Sequence, residues 1–200
     1  TTIAMPYNRA LLESLGVELP KDGWTWDDYF TFGKELKSKV APGQYPLYDV
    51  TLGIGAFPIY SMYQLANGKG HPYTPDGKTN IDKDTWTQWM TIHKELRKEG
   101  IVPPAEIMVT EKDDAQSDLL VNGTVFIKTA ASSQMSSFDG FNPGAYDMVT
   151  MPRAQESGGW LKASMFWSLS KDSKHIEEAK KVVDWLINDP EAGEILGVTR

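Results

Sequence analysis

Apolar positions along this chain recur mostly at helical spacing, interrupted by short extended runs. From Asn8, NRALLESL reads as a helix that stops at Gly16. After Pro20 and Gly23, Thr25-Trp26-Asp27-Asp28 forms a capping box, opening a helix that turns Tyr29, Phe30, Gly33 and Leu36 inward. Residues 41 to 55 read as irregular and Gly-rich, a short helix is expected around Pro58 to Leu65, and Pro75-Asp76-Gly77 predicts a small hairpin over Tyr73 to Ile81. Asp84 is the expected cap of a helix whose stripe of Trp86, Trp89, Met90, His93 and Leu96 reads as core, and which closes on Lys94, Arg97, Lys98 and Gly100. A second capping-box pattern, Thr110 to Asp113, leads to Leu119 and Leu120. Strands are expected at Val125 to Lys128, Tyr146 to Met151 and Leu161 to Ser170. The last of these feeds a helix with Ile176, Ala179, Val182, Val183 and Leu186 on its apolar face. A final helix starts near Pro190 and breaks at Gly197. No internal repeat or low-complexity tract interrupts this order.

Composition narrows the classes. With 200 residues, 40% of them hydrophobic and 24% charged, the chain has material for one domain core, so a single compact domain over 1–200 is expected. A net charge of -7 with scattered Lys and Arg argues against general affinity for nucleic acid or anionic membranes. The absence of cysteine excludes disulfides, thiolate metal sites and a cysteine nucleophile. The opening TTIAMPYN reads as the middle of something longer, with neither signal peptide nor membrane-spanning run.

Two features point to a small polar ligand. In LLVNGTVFIKTAASSQ, a strand is followed at once by Ala130, Ala131, Ser132 and Ser133, which would offer backbone N–H groups and two hydroxyls at a strand's carboxyl end, where open α/β sheets place ligands. The same run also reads as an ordinary strand-to-helix turn with Ser as N-cap. The chain further carries 7 Trp, 8 Tyr and 7 Phe. Flat rings suit the C–H faces of a pyranose while polar neighbours take its hydroxyls, although Trp at helical spacing is more often a core signal.

Catalytic readings lack parts. His71, His93 and His175 are far apart and have no partners at metal-ligand spacing, so no metal is expected. Asp139, Asp147 and Glu156 could be nominated as glycosidase acids, without a visible pair. Asp82-Lys83-Asp84 lacks the further ligands of a calcium loop and suits helix capping, and Gly53-Ile54-Gly55 lacks the rest of a phosphate loop. Asn122-Gly123-Thr124 fits a glycosylation pattern but reads as a helix end.

The run YNRALLESLGVELPKDGWTWDDYFTFGKELK resembles the YN-x-x-L then T-W-(D/E)-(D/E) passage of extracellular solute-binding proteins that serve ABC importers, in the branch related to maltose-binding protein. LLVNGTVFIKTAASS is similar to that family's F-x-x-G-K-A-A-M-x-x-x-G-S-W strand and turn. YDMVTMPRAQESGGWLKASMFWSLSKDSKHIEEAKKVVDWLI is similar to its x-P-x-x-x-G-G, K-x-S-K and E-A-A-x-x-F-L segments. Such ordered similarity implies an α/β fold: one lobe of a type II periplasmic-binding-protein-like architecture, with a mixed sheet flanked by helices. It resembles the carboxyl-terminal lobe, so an amino-terminal lobe with signal peptide and lipid-attachment Cys is expected upstream.

The resemblance implies a non-catalytic receptor that closes two lobes over a sugar or oligosaccharide and hands it to an ABC permease. Its location would be extracytoplasmic, in the periplasm or lipid-anchored at the outer face of the cytoplasmic membrane. No cofactor and no nucleic acid are implied. Carried over by position, ligand contacts fall on Ala131, Ser132 and Ser133, with Gln134 replacing by hydrogen bonds the stacking Trp that the usual turn carries. Further candidates are Phe57, Tyr60 and Tyr63, with Tyr60 favoured, and Trp160 after Gly158-Gly159; each is alternatively a packing residue. Tyr7 is expected to pack beside the hinge. A non-sugar polar ligand such as a peptide or polyol, an acidic sugar, a glycoside hydrolase and a structural adhesion module remain the alternatives. Stripped of a partner lobe, the isolated piece would expose apolar surface, and a dimer of it would be artificial.

Overall fold

The computed structural model describes residues 2–52, 55–112, 114, 116–159 and 166–196. The chain divides into two compact units, 1–162 and 163–200. The first is built on a mixed sheet. Its central strand, β1 (Ile3–Asn8), pairs antiparallel with β5 (Tyr146–Thr150) on one side. On the other side it pairs antiparallel with β3 (Val125–Ile127) and β4 (Ala130–Ala131). Tyr7 meets Ile127 and Ala4 meets Ala130, so β3 and β4 are one passage in a single register, interrupted at Lys128 and Thr129. β2 (Tyr45–Leu47) adds outside β3 in parallel. Long crossovers are the rule for parallel neighbours, and here the connection from β2 to β3 carries three helices.

Helix α1 (Arg9–Ser14) starts as the sequence predicts: the Asn8 side chain accepts the Leu11 N–H at 3.0 Å. Helix α2 (Trp26–Lys37) opens on the expected capping box, the Thr25 hydroxyl accepting from Asp28 N–H while the Asp28 carboxylate accepts from Thr25 N–H. It buries Tyr29, Phe30, Gly33 and Leu36. A Cβ on Gly33 would lie 2.5 Å from Leu47 Cδ1, so the missing side chain lets α2 lie against β2.

Several elements depart from expectation. The passage expected to be irregular contains β2, whose Leu47 N–H donates to Ile101 O at 3.0 Å. Helix α3 (Ala56–Ala66) is slightly longer than expected. The hairpin reduces to one bridge, Tyr73 to Thr79, around Gly77 at φ 79. Helix α4 (Lys83–Lys98) is capped by Asp82 rather than Asp84, because Asp82 accepts both the N–H and the hydroxyl of Thr85. Its stripe divides: Trp89, His93 and Leu96 are buried, while Trp86 and Met90 are more than a third exposed. After the short α5 (Ala105–Met108), the Thr110 pattern, whose Asp113 lies outside the described residues, opens no helix among those described, which form turns up to Gly123 at φ 76. A 3-10 turn, Ser132–Gln134, leads into α6 (Met135–Phe141). In the second unit, α7 (Ile176–Asn188) and α8 (Pro190–Leu196) follow. Residues 166–170 are not strand, and 160–165 of that expected strand lie outside the described residues, as does Gly197.

Between α2, α3 and α4 sits an aromatic cluster. Trp89 is its hub, with ring centroids 5.3 Å from Trp26, 4.5 Å from Tyr63 and 4.1 Å from His93. Burial pushes the His93 imidazole down to about 4, opposed by its hydrogen bond to Trp89 O at 2.9 Å. The folded protein therefore holds His93 neutral. As pH falls from about 6.5 toward 4, the unfolded chain binds a proton that the folded chain refuses, so stability should drop by about 1 kcal/mol per pH unit in that window. Urea unfolding at pH 7, 6 and 5 measures this, and His93→Gln should flatten the slope. Equal slopes in the two proteins would show that the site does not exclude the proton.

Candidate functional site

Because β2 and β3 run parallel, both carboxyl ends open at the same edge of the sheet, and the residues that leave them, Tyr48 and Lys128, sit side by side. Tyr48 N–H donates to Ile127 O at 3.0 Å and Lys128 N–H to Pro6 O at 3.1 Å, which fixes both exits. The segment after β2 is held by the fully buried Asp49. One of its oxygens accepts the Thr51 N–H at 3.0 Å and hydroxyl at 2.6 Å, and the other pairs with Arg97 Nε of α4 at 2.5 Å. This staple sets Tyr48, Val50 and Leu52 as one wall of a depression of about 200 Å³. Gly55, just before α3, and Ile59 within it form a second wall, Gln134 and Phe138 a third, and Lys128, Thr129 and Ala130 line the strand ends.

The polar part of this depression is a compact network. Lys128 Nζ lies 2.5 Å from Glu111 Oε1 and 3.0 Å from Asp118 Oδ2, and 5.1 Å above the centre of the Tyr48 ring. The Tyr48 hydroxyl donates to Glu111 Oε2 at 2.6 Å. Burial, and then this bond to a carboxylate, raise the Tyr48 hydroxyl far above the ordinary tyrosine range, so it stays a neutral hydrogen-bonding group. Asp118 is itself oriented, its Oδ1 accepting the N–H groups of Leu120 and Val121. A buried lysine at a strand's end is thus compensated from two directions. The arrangement offers hydroxyl, amide and ammonium groups above a partly apolar wall.

Of the residues expected at a site, Gln134 lines the depression, and Ala131, Ser132 and Ser133 lie on the segment between two lining positions, Ala130 and Gln134. The turn is less open than expected, because Gln134 Oε1 takes the Ala131 N–H at 3.0 Å and Ser132 exchanges hydrogen bonds with the Thr2 backbone. Ser132 starts a 3-10 turn instead of acting as an N-cap. The Ser133 side chain is exposed. Tyr60 and Tyr63 are packed in the aromatic core: the Tyr60 hydroxyl donates to Gln64 Oε1 at 2.7 Å and its ring meets Trp86 edge-on at 4.5 Å. Phe57 lines a different, apolar depression with Tyr73. Trp160 lies outside the described residues. Tyr7 is buried in the central strand.

Lys128 and Tyr48 were not singled out by sequence reading. A lysine ending the otherwise apolar run VFIK was the available signal for the first; Tyr48 was hidden in a passage without periodicity. None of the nominated acids lines the depression. Asp139 accepts the Gly144 N–H and Asp147 the Met148 N–H, while Glu156 contributes its backbone N–H to Ala66 O. Among the described residues no three His, Asp or Glu side chains converge as a metal site.

A family profile described as bacterial extracellular solute-binding protein matches residues 1–193. The chain belongs to this family. As a solute-binding protein it is also similar in fold to solved structures of the same kind. One is an extracellular solute-binding protein of family 1 from Alicyclobacillus acidocaldarius, 22% identical, with a TM-score of 0.74 over 96% of this chain and 47% of the other. A periplasmic oligogalacturonide-binding protein from Yersinia enterocolitica, in complex with saturated digalacturonic acid, is 19% identical, with a TM-score of 0.74 over 98% of this chain and 50% of the other. An ABC substrate-binding protein from Listeria monocytogenes, in complex with cycloalternan, is 20% identical, with a TM-score of 0.70 over 97% of this chain and 48% of the other. The solute-binding chain spans about half the length of these proteins. At such identities the likeness is one of fold: a periplasmic-binding-protein-like α/β arrangement with a mixed sheet flanked by helices, as the resemblance implied. Family membership implies an extracytoplasmic location, and no helix among the described residues is long and apolar enough to cross a membrane.

Proposed function

We propose that residues 1–200 act as one ligand-binding lobe of an ABC-importer receptor that takes a sugar or oligosaccharide at the carboxyl ends of β2 and β3. The observation that carries this reading is the depression beside Tyr48, Lys128 and Gln134, at the edge of the sheet where both parallel strands end. Its mixture of aromatic, aliphatic and hydrogen-bonding groups suits a polyhydroxylated ring. Two of the fold relatives are described as complexes with saccharides, which supports the same class here. The Ala131–Ser133 turn would contribute rim contacts, and the ligand would shift the population toward a closed receptor that a permease recognises. The protein would sit in the periplasm or be lipid-anchored outside the cytoplasmic membrane. Binding without turnover is the reading that membership of a solute-binding family supports. A peptide or polyol is the alternative ligand class.

Titration of the full-length protein containing this chain, followed by tryptophan fluorescence and calorimetry, tests the assignment. The panel would contain mono- and disaccharides of glucose, galactose, mannose and xylose, with glucuronate and galacturonate counterparts. Saturable binding of at least one sugar, weakened at least tenfold by Gln134→Ala or Tyr48→Ala, is expected. No response to any sugar would end the saccharide assignment, and conversion of the sugar to products would revive a hydrolase.

A further inference from the structure

We infer that the strand-end depression selects an uncharged saccharide over an acidic one, a conclusion that rests on the saccharide reading above. Recognition of a sugar carboxylate needs a cation with bonding capacity to spare. Lys128 is the only cationic side chain that lines the depression among the described residues. Its ammonium already faces two carboxylates, Glu111 at 2.5 Å and Asp118 at 3.0 Å, and two of its three N–H bonds are directed there. Arg97, which anchors the segment after β2 from behind, is paired with Asp49 and bonded to Thr51.

Lys128 in the lining and Glu111 and Asp118 bonded to it therefore sum to one negative charge. These side chains are only 11–19% exposed, so water screens that charge weakly. A uronate brought to Lys128 would become a third carboxylate around one ammonium and would meet Glu111 and Asp118 as like charges. A neutral ring meets no such opposition, since its hydroxyls can accept the remaining Lys128 N–H and use the Tyr48 oxygen and the Gln134 amide. The likeness to an oligogalacturonide-binding protein thus stops at the fold, because here the lysine that could greet an acid is already neutralised.

The test compares, in the same full-length protein, neutral members of the panel with uronates of equal length. Neutral sugars are expected to bind at least tenfold more tightly. In Asp118→Asn, which keeps an oxygen for the Leu120 and Val121 N–H groups and leaves Lys128 paired with Glu111 alone, the preference should shrink at least threefold. A uronate that binds the wild type as tightly as its neutral counterpart overturns the inference while leaving the saccharide reading intact. Silence toward every sugar would remove both. The wild-type comparison decides even if Asp118→Asn fails to fold.

Discussion

Trp89→Ala should destabilise the first unit by about 3–5 kcal/mol, a substantial share of the 5–15 kcal/mol that a typical domain has. Trp89 is 1% exposed and touches aromatic neighbours from three helices, Trp26 of α2, Tyr60 and Tyr63 of α3, and His93 one turn along α4. Removing the indole leaves a cavity whose walls are large, rigid rings, and such walls collapse poorly into the space. Ring–ring contacts, edge-to-face with Trp26 and tilted with the others, are worth about 0.5–1.5 kcal/mol per pair and are lost as well. Trp86, three residues earlier on the same helix and 38% exposed, provides the comparison. Trp86→Ala should cost under half as much. Urea unfolding of the three proteins measures both values, and a Trp89→Ala loss no greater than that of Trp86→Ala would refute the hub.

Lys128→Met should cost about 3 kcal/mol, the lower end of the range for breaking a buried ion pair, because the three side chains keep a little solvent contact. The methionine replaces the aliphatic stem, so packing changes little. What changes is that Glu111 and Asp118 are left facing one another without their cation. The Tyr48 bond to Glu111 and the backbone N–H groups on Asp118 relieve only part of that cost. The double variant Lys128→Met with Glu111→Gln should regain at least half of the loss, as coupled sites do not add. Stability of the single and double variants measured at pH 7 gives the coupling. A single variant within about 1 kcal/mol of wild type would mean that the network contributes little to folding.

Much of the fold was legible because its signals are local. Thr25 and Asp28 cap each other across three residues, Asn8 caps α1, and Gly16 ends that region at φ 60 whatever lies around them. Strands β3 and β5 declare themselves as short apolar runs between turn residues. β2 was hidden since three residues, Tyr-Pro-Leu, carry no period, and only the edge of β3 and the carbonyl of Ile101 make them a strand. The Thr110 pattern misled for the converse reason. Its acid-three-residues-on spacing is common, and that region's acids serve Lys128 and backbone N–H groups instead: Glu111 binds Lys128, and Asp118 holds both Lys128 and the turn.

At the site, the turn after the strand and Gln134 were readable from small residues following VFIK. The favoured ring was not. Tyr60 and Trp86 have similar chemistry on paper, yet Tyr60 packs beneath Trp86 and its hydroxyl is held by Gln64, so it is the tyrosine that is enclosed.

By itself, then, the sequence determined the family, the α/β class, the starts of α1 and α2 and the existence of a polar strand-end turn, all of which depend on neighbours within a few residues or on the order of such signals. Tertiary structure alone decided that Tyr48 and Lys128 leave parallel strands side by side, that Glu111 and Asp118 converge on one ammonium, and which aromatics face inward. Those outcomes join residues up to 80 positions apart, and the pairing of β2 with β3 that creates them is invisible to any local period.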